Sequence, residues 1–426
     1  MAESEDDLQD ALNRLHSYCE EWSLNINLDK TKIVIFSRGI VSKHRDFTFN
    51  GSLVKVVSDY VYLGVVFNCN GSFKKAISKQ LGQAKKAMFS LLEKAKILKL
   101  PFDIICELYE TCIIPVLLYG SEIWGYEDLN DLEIFHRRFY KMLLGAYKFT
   151  PNCMVHGETG TIDIKTKVTI RMVNFWSSLV SSNNVKFSSI LCNFVSKEYD
   201  LCSSSTSVEC SLPNNQYFKW FHKIQLSLNE QGFSYLWKNK CPSSSFKSEF
   251  KQKCIDVFKQ NWHSEVNSNS QCTVYKIFKE VPKIEDFMFK LENVHRFRLS
   301  KFIIRVHHLP VTNNRFCPKK LERDPCTFCP LCNTNQIGDE SHYLFDCSFF
   351  NRDRIRFLPS NLTSCNSHKL AWEKIFKMDS SQLINVSKFI KIIWDQFKYK
   401  KPDKNFKLQA ITRAGRRVKA VNRLNL

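Results

Sequence analysis

The chain has 426 residues, 44% of them hydrophobic, with 13 glycines, 12 prolines and a formal net charge of +20. Scarce Gly and Pro exclude a turn-rich β-sandwich and favour long helices, giving a mostly helical α+β class. So much like charge repels itself unless a polyanion neutralises it, so nucleic acid is the first partner class and an anionic membrane surface the second.

The N-terminal MAESEDDLQD is acidic and lacks the apolar h-region of an export signal. No run approaches the ~20 apolar residues that span a bilayer, so a nuclear or cytoplasmic protein without a membrane partner is expected. Residues 6–22 read as an amphipathic helix, with Leu8, Leu12, Leu15, Cys19 and Trp22 at intervals of three and four. LNINLDKTKIVIFSRG then alternates apolar and polar residues, as a strand does. FTFNGSLVKVV, residues 47–57, predicts a hairpin turning at Asn50-Gly51, and DYVYLGVVF a further short strand.

Helical character runs from Gly71-Ser72 to about residue 148. SFKKAISKQLGQAKKAMFSLLEKAKIL sets Ala, Leu, Ile and Met on one side and lysines on the other, among them Lys74, Lys75, Lys85 and Lys86. Leu100-Pro101 ends that helix. A second spans roughly 102–119, with Pro115 expected to kink it. A third, DLNDLEIFHRRFYKMLLGAY, opens at an Asp and closes near Gly145. Residues 149–315 are expected to be mostly helical, broken by a Ser-rich linker at 201–215. A helix near 380–398 precedes a tail, Lys398 to Leu426, with ten Lys or Arg against one Asp. Lysine and arginine beside Phe406 allow that tail one weak membrane reading.

Seventeen cysteines, an odd number without an export signal, do not read as a disulfide scaffold. Most, such as Cys112, read as small buried hydrophobes. FCPLCNTNQIGDESHYLFDC is different. Cys329 and Cys332 stand two residues apart, His342 follows after nine and Cys347 after four more. That spacing predicts a tetrahedral Zn²⁺ site with all four positions filled by protein, hence structural and not hydrolytic. Cys326 makes a second knuckle with Cys329 and could compete. Lys319, Lys320 and Arg323 precede the clasp and Arg352, Arg354 and Arg356 follow it, a placement suited to phosphate contact.

LHSYCEEWSLNINLDKTKIVIFSR, YLG and IIPVLLYGSEIWG, in that order, resemble the part of non-LTR (LINE-type) retrotransposon reverse transcriptases that follows the catalytic palm strands. HRFRLSKFIIRVHHLPV and the clasp are similar to segments near the C-termini of those proteins, so the resemblance spans residues 1 to about 357. It implies a partial palm with its primer-grip hairpin at 1–70 and a helical thumb at 72–148. A helical linker region at 149–315, a zinc knuckle at 316–360, and a helix with basic tail at 361–426 follow. Trp22, Asn27, Lys30, Thr31 and Lys32 fit the fourth palm motif, whose lysine assists proton transfer; Lys30 and Lys32 are both candidates. Tyr62, Leu63 and Gly64 fit the primer grip, and Tyr119, Gly120, Glu122 and Trp124 a thumb signature with a packing role.

The family binds two Mg²⁺ ions through palm aspartates, one set in an aromatic-x-Asp-Asp turn. Asp6-Asp7 lies instead in SEDDLQ, at a helix start. The chain is therefore expected to begin just after the catalytic centre, with no catalytic residue of its own. It should bind RNA or DNA template–primer without polymerising, and use Mg²⁺ only if another chain supplies the palm. The alternatives are a domesticated zinc-knuckle nucleic-acid-binding protein and an active polymerase whose N-terminal portion is missing.

Overall fold

Helix makes up 65% of the structure, and every sheet among the described residues has two strands. The fold is thus α+β and mostly α, as the composition requires. The computed structural model describes residues 2–37, 45–181, 186–204, 218–313, 328–332, 334–363 and 365–397. Cys326, Lys319, Lys320, Arg323, the tail from Lys398 and most of the Ser-rich stretch lie outside them. The chain divides into two units, Met1–Phe289 and Lys290–Leu426.

In the first unit, α1 (Glu5–Glu21) starts at Ser4, whose Oγ accepts the Asp7 N–H at 3.1 Å. Glu5, Asp6 and Asp7 fill its first turn, where acidic side chains favour the helix dipole. The predicted apolar stripe splits. Leu12 and Cys19 are buried, but Leu15 and Trp22 are exposed. Gln9 decides the docking face: its amide accepts the Thr48 N–H at 3.0 Å and donates to Thr48 O at 2.8 Å.

The strand predicted after α1 shrinks to β1 (Lys32–Ile33). Asn27 interrupts the run with a turn, accepting the Lys30 N–H on Oδ1 and the Thr31 N–H on its carbonyl, both at 3.0 Å. β2 (Thr48–Phe49) and β3 (Ser52–Leu53) form the predicted hairpin, with Asn50 and Gly51 at positive φ. β4 (Lys55–Val56) pairs in parallel with β1, Ile33 opposite Val56. A small core of Leu12, Cys19, Ile33, Phe47, Phe49 and Val54 lies under these elements. DYVYLGVVF is two strands, β5 (Asp59–Tyr62) and β6 (Val65–Asn68), not one. Leu63 and Gly64 turn between them at φ 47° and 84°.

α2 (Lys74–Ile97) buries Ala76, Ile77, Gln80, Ala84, Met88 and Ala95. Beyond Pro101, α3 (Phe102–Leu108) runs into a π turn at Tyr109–Ile113 and then α4 (Ile114–Leu117). Pro115 explains the turn: it has no N–H to give back, and the wider spiral keeps its ring clear of the preceding carbonyls. α5 (Ser121–Trp124) and α6 (Asn130–Leu144) follow, α6 closing on Gly145 at φ 63°. Tyr109 stacks on Phe139 with centroids 3.7 Å apart, and its hydroxyl lies 3.2 Å from His136 Nδ1 in the buried centre.

α7 (Asn152–Thr159), α8 (Ile164–Ser181), α9 (Phe187–Ser204), α10 (Lys219–Glu230), α11 (Ser234–Asn239), α12 (Phe246–Ser268) and α13 (Tyr275–Phe278) complete this unit. α14 (Phe287–Lys290) ends at the boundary. The second unit holds α15 (Asn293–Ile303), α16 (Pro310–Asn313), a π turn at His342–Asp346, α17 (Asn351–Phe357), α18 (Ser360–Thr363), α19 (His368–Phe376) and α20 (Ser380–Gln396). α20 packs on α15 and α17 and starts with a capping box between Asp379 and Gln382. Among the described residues, no helix is long and apolar enough to cross a membrane.

Candidate metal centre and nucleic-acid interface

The clasp is built on a short ribbon. Phe328 pairs antiparallel with Ile337, and the Cys329 N–H donates to Gln336 O at 2.9 Å. This folds Cys329 and Cys332 over toward the π turn, whose ends carry His342 and Cys347. Asp339 Oδ1 fixes the turn by accepting the His342 N–H at 2.9 Å, and the Cys347 N–H donates to His342 O at 2.8 Å. The four ligand atoms lie within 4.8 Å of one another and all four residues are buried. Cys329 Sγ is 3.7 Å from Cys347 Sγ, and Cys332 Sγ is 3.4 Å from His342 Nε2.

His342 is oriented for ligation. Its Nδ1 lies 2.8 Å from Gln336 Oε1, which accepts the ring proton and leaves Nε2 bare. Burial pushes the Cys347 thiol up to about 12, and the Cys329 sulfur adds to the shift. Three sulfurs this close become thiolates together only around a cation. The group can therefore hold a metal ion, with no coordination position left for a substrate.

A buried charge cluster ties the clasp to the segment before it. Glu340, two residues from His342, accepts hydrogen bonds from Arg305 Nε at 2.9 Å and His307 Nε2 at 2.8 Å. Burial alone would raise the Glu340 carboxyl, but Arg305 and His307 hold it at about 2. Burial lowers His307, which stays neutral: its Nδ1 accepts from the Leu309 N–H. Arg305 sits at φ 60°, a conformation that a non-glycine residue keeps only when its surroundings impose it. Trp372 Nε1 donates to Ser341 Oγ at 3.1 Å from the other side. Gly338 leaves room for Tyr343, since a Cβ there would lie 2.5 Å from its Oη.

The arginines after the clasp divide. Arg352 and Arg356 are exposed, Arg356 lying over the Phe357 ring. Arg354 is buried and does not face a phosphate. Its Nε donates to Leu344 O and its second terminal nitrogen to Cys347 O, both at 2.9 Å, so it closes the clasp from behind. Arg354 is the buried residue of α17, a placement that the charge pattern alone did not reveal.

In the first unit the structure brings two distant signatures together. Tyr119 Oη donates to Leu63 O at 2.8 Å across 56 residues. A Cβ on Gly64 would lie 3.1 Å from the Tyr119 ring, and one on Gly120 would lie 3.1 Å from Val65 Cγ2. Trp124, fully buried, donates Nε1–H to Tyr119 O at 3.0 Å. The hairpin tip stays open: Tyr62 is 59% exposed and Leu63 74%. Lys79 Nζ donates to Gly64 O at 3.4 Å, which seats the tip beside α2.

Lys74, Lys75, Lys85 and Lys86 are all exposed along α2. Lys74, Lys85 and Lys96 recur every eleven residues, close to three turns, so they form one row. Lys75 also pairs with Asp59 at the foot of the hairpin. Lys30 is exposed on the Asn27 turn, where its carbonyl accepts from Tyr60 Oη at 3.4 Å. Lys32 is half-buried on β1 opposite Lys55. Sequence reasoning missed Gln336, Arg305, His307 and Glu340. Of these, Arg305 carried a signal, as a charged residue inside the apolar run FIIRV.

The chain is 26% identical over 154 residues to the RNA-directed DNA polymerase from mobile element jockey of Drosophila funebris, which covers 34% of this chain and 16% of that protein. It is 26% identical over 144 residues to the jockey polymerase of Drosophila melanogaster, covering 33% and 16%. It is 21% identical over 168 residues to the probable RNA-directed DNA polymerase from transposon BS of Drosophila melanogaster, covering 38% and 18%. The matched stretches thus take up less than a fifth of the relatives' own lengths. No protein-family profile matches the chain, and no solved structure does. The curated homologues of this chain are LINE-type retrotransposon RNA-directed DNA polymerases, matched at low identity over about a third of its length.

Proposed function

We propose that this chain acts as the nucleic-acid-binding C-terminal part of a retrotransposon RNA-directed DNA polymerase and does not polymerise alone. The observation that carries this reading is the Tyr119–Leu63 junction, which holds open a hairpin tip that Lys79 ties to α2, the helix that also exposes Lys74, Lys75, Lys85 and Lys86. Tyr62, Leu63 and Gly64 would hold the primer end. Lys74, Lys75, Lys85 and Lys86 would contact phosphates without reading base edges. Residues 1–70 then serve as partial palm, 72–148 as thumb, 149–315 as linker region and 316–360 as zinc knuckle, with 361–426 adding a helix and basic tail.

Zinc suits the clasp best. Ligand distances of ~2.3 Å to sulfur and ~2.0 Å to nitrogen place tetrahedral sulfurs about 3.8 Å apart and a sulfur–nitrogen pair slightly closer. The observed 3.7 and 3.4 Å agree. The ion would be structural, and Arg352 and Arg356 would supply phosphate contacts beside it.

The test is a titration of the full chain against a labelled RNA–DNA template–primer at rising salt. Each lysine–phosphate contact adds ~0.9 to the salt slope on duplex DNA, so Lys85→Glu with Lys86→Glu should flatten it by about two units. Affinity indifferent to salt would sink the binding reading. Primer extension by the chain alone with Mg²⁺ and deoxynucleotides would sink the inactive reading and favour a polymerase whose palm lies elsewhere. A second reading, a domesticated zinc-knuckle binder, is favoured by the clasp having its own unit and core. It predicts that Arg352→Glu with Arg356→Glu abolishes binding while the lysine pair leaves it intact.

A further inference from the structure

Sulfurs meet a second time, in the first unit. Cys153 Sγ on α7 lies 3.6 Å from Cys272 Sγ in the turn Ser270–Cys272, although 119 positions separate them in sequence. Both are free thiols and both are fully buried. Among the described residues the clasp is the one group that could hold a metal ion, so ligation does not explain this pair. The chain around Cys272 wraps α7. Trp262 Nε1 donates to Cys153 O at 2.7 Å, Tyr275 Oη to Glu158 Oε1 at 2.9 Å, and the Lys283 N–H to Gly157 O at 3.1 Å. These contacts hold the two sulfurs in place.

A disulfide sets its sulfurs ~2.05 Å apart. Closing the gap from 3.6 Å asks each sulfur to swing by under ~1 Å. Thiols this deep do not react in the closed state. The Cys272 sulfur, together with burial, pushes the Cys153 thiol well above its ordinary range, and the thiolate is the reactive form. Oxidation therefore runs through local opening of α7. A peroxide converts one thiol to a sulfenic acid and leaves as water. Reclosing then brings the second thiol against that sulfur. The S–S bond forms, the S–O bond breaks, and the departing oxygen takes the thiol proton as a second water. Two thiols lose two electrons and two protons, and the peroxide gains both. The bond would close a loop across 119 positions, which removes freedom from the unfolded chain.

We propose that Cys153 and Cys272 are a redox pair, which peroxide converts to a disulfide that locks α7 to the turn after α12. The competing account is that they pack as two small apolar side chains. The full chain is treated with hydrogen peroxide, unfolded, alkylated and digested. The peptides carrying Cys153 and Cys272 should emerge linked, two hydrogens lighter than the pair, and separate on dithiothreitol. Oxidation should raise the thermal midpoint by at least ~5 °C more in this chain than in Cys272→Ala. Any effect of peroxide at the clasp is common to both and drops out of that difference. Cys112→Ala removes an exposed thiol and should leave the link and the rise intact. Full alkylation of Cys153 and Cys272 in a sample whose Cys112 has been oxidised would overturn the proposal. So would a link from either sulfur to a different cysteine, or a 153–272 link that leaves the midpoint where it was.

Discussion

The hairpin junction in the first unit and the clasp in the second both fix a short irregular segment, by opposite means. At the junction a neutral hydroxyl meets a carbonyl, two glycines let rings approach, and a buried tryptophan backs the contact. At the clasp three thiols and an imidazole converge behind a buried Arg305–Glu340–His307 cluster. Neutral packing loses stability in small increments when it is altered. Buried charge and metal ligation lose it in large ones, because each remaining partner is left desolvated and uncompensated. The first arrangement suits a tip that must stay open to a partner, and the second suits a closed scaffold.

That contrast can be broken most sharply at the clasp. Cys332→Ser or His342→Ala should abolish metal binding and unfold the clasp, because ligation and folding are coupled there. Zinc content of the purified protein and the unfolding of tryptophans in the second unit would report it. Bound zinc with an unchanged transition would refute it. Glu340→Ala comes next. It strands Arg305 and His307 in the interior and should cost about 3–5 kcal/mol by denaturant unfolding. A loss under about 1 kcal/mol would mean the cluster is open to water.

Gly64→Ala sharpens the other side. It forces a side chain to φ 84° and toward the Tyr119 ring, which should cost ~1–3 kcal/mol and weaken template–primer binding if the tip grips it. Tyr119→Phe removes one hydrogen bond and keeps the ring, so about 1 kcal/mol is expected. If Tyr119→Phe proved worse than Glu340→Ala, the proposed difference between the two regions would be reversed.

Local chemistry was the legible part of this chain. Asn50-Gly51 announced a hairpin, Gly145 a helix end, and Cys-x-x-Cys with a later His and Cys a ligand set, because each depends on neighbours in sequence. Pro115 announced a disruption, though the π turn that absorbs it is a tertiary outcome. The strand expected after α1 failed because Asn27 offered the backbone a turn, which period-two alternation does not register. The apolar stripe of α1 pointed inward only in part, since Gln9 and not Leu15 found the partner.

The sequence by itself determined a mostly helical basic chain, the four Cys and His residues of the clasp that could hold a metal ion, and a low-identity likeness to LINE-type polymerases. Those follow from periodicity, spacing and side-chain chemistry read over a few turns. Tertiary structure alone decided that Arg354 faces inward, that Glu340 gathers Arg305 and His307, and that Tyr119 closes on Leu63. The first two depend on which groups lose water together, and residues ten to 35 positions apart share a desolvated site only once the chain has packed; the third joins an exposed tip to a residue 56 positions away, which only the packing of the chain brings near.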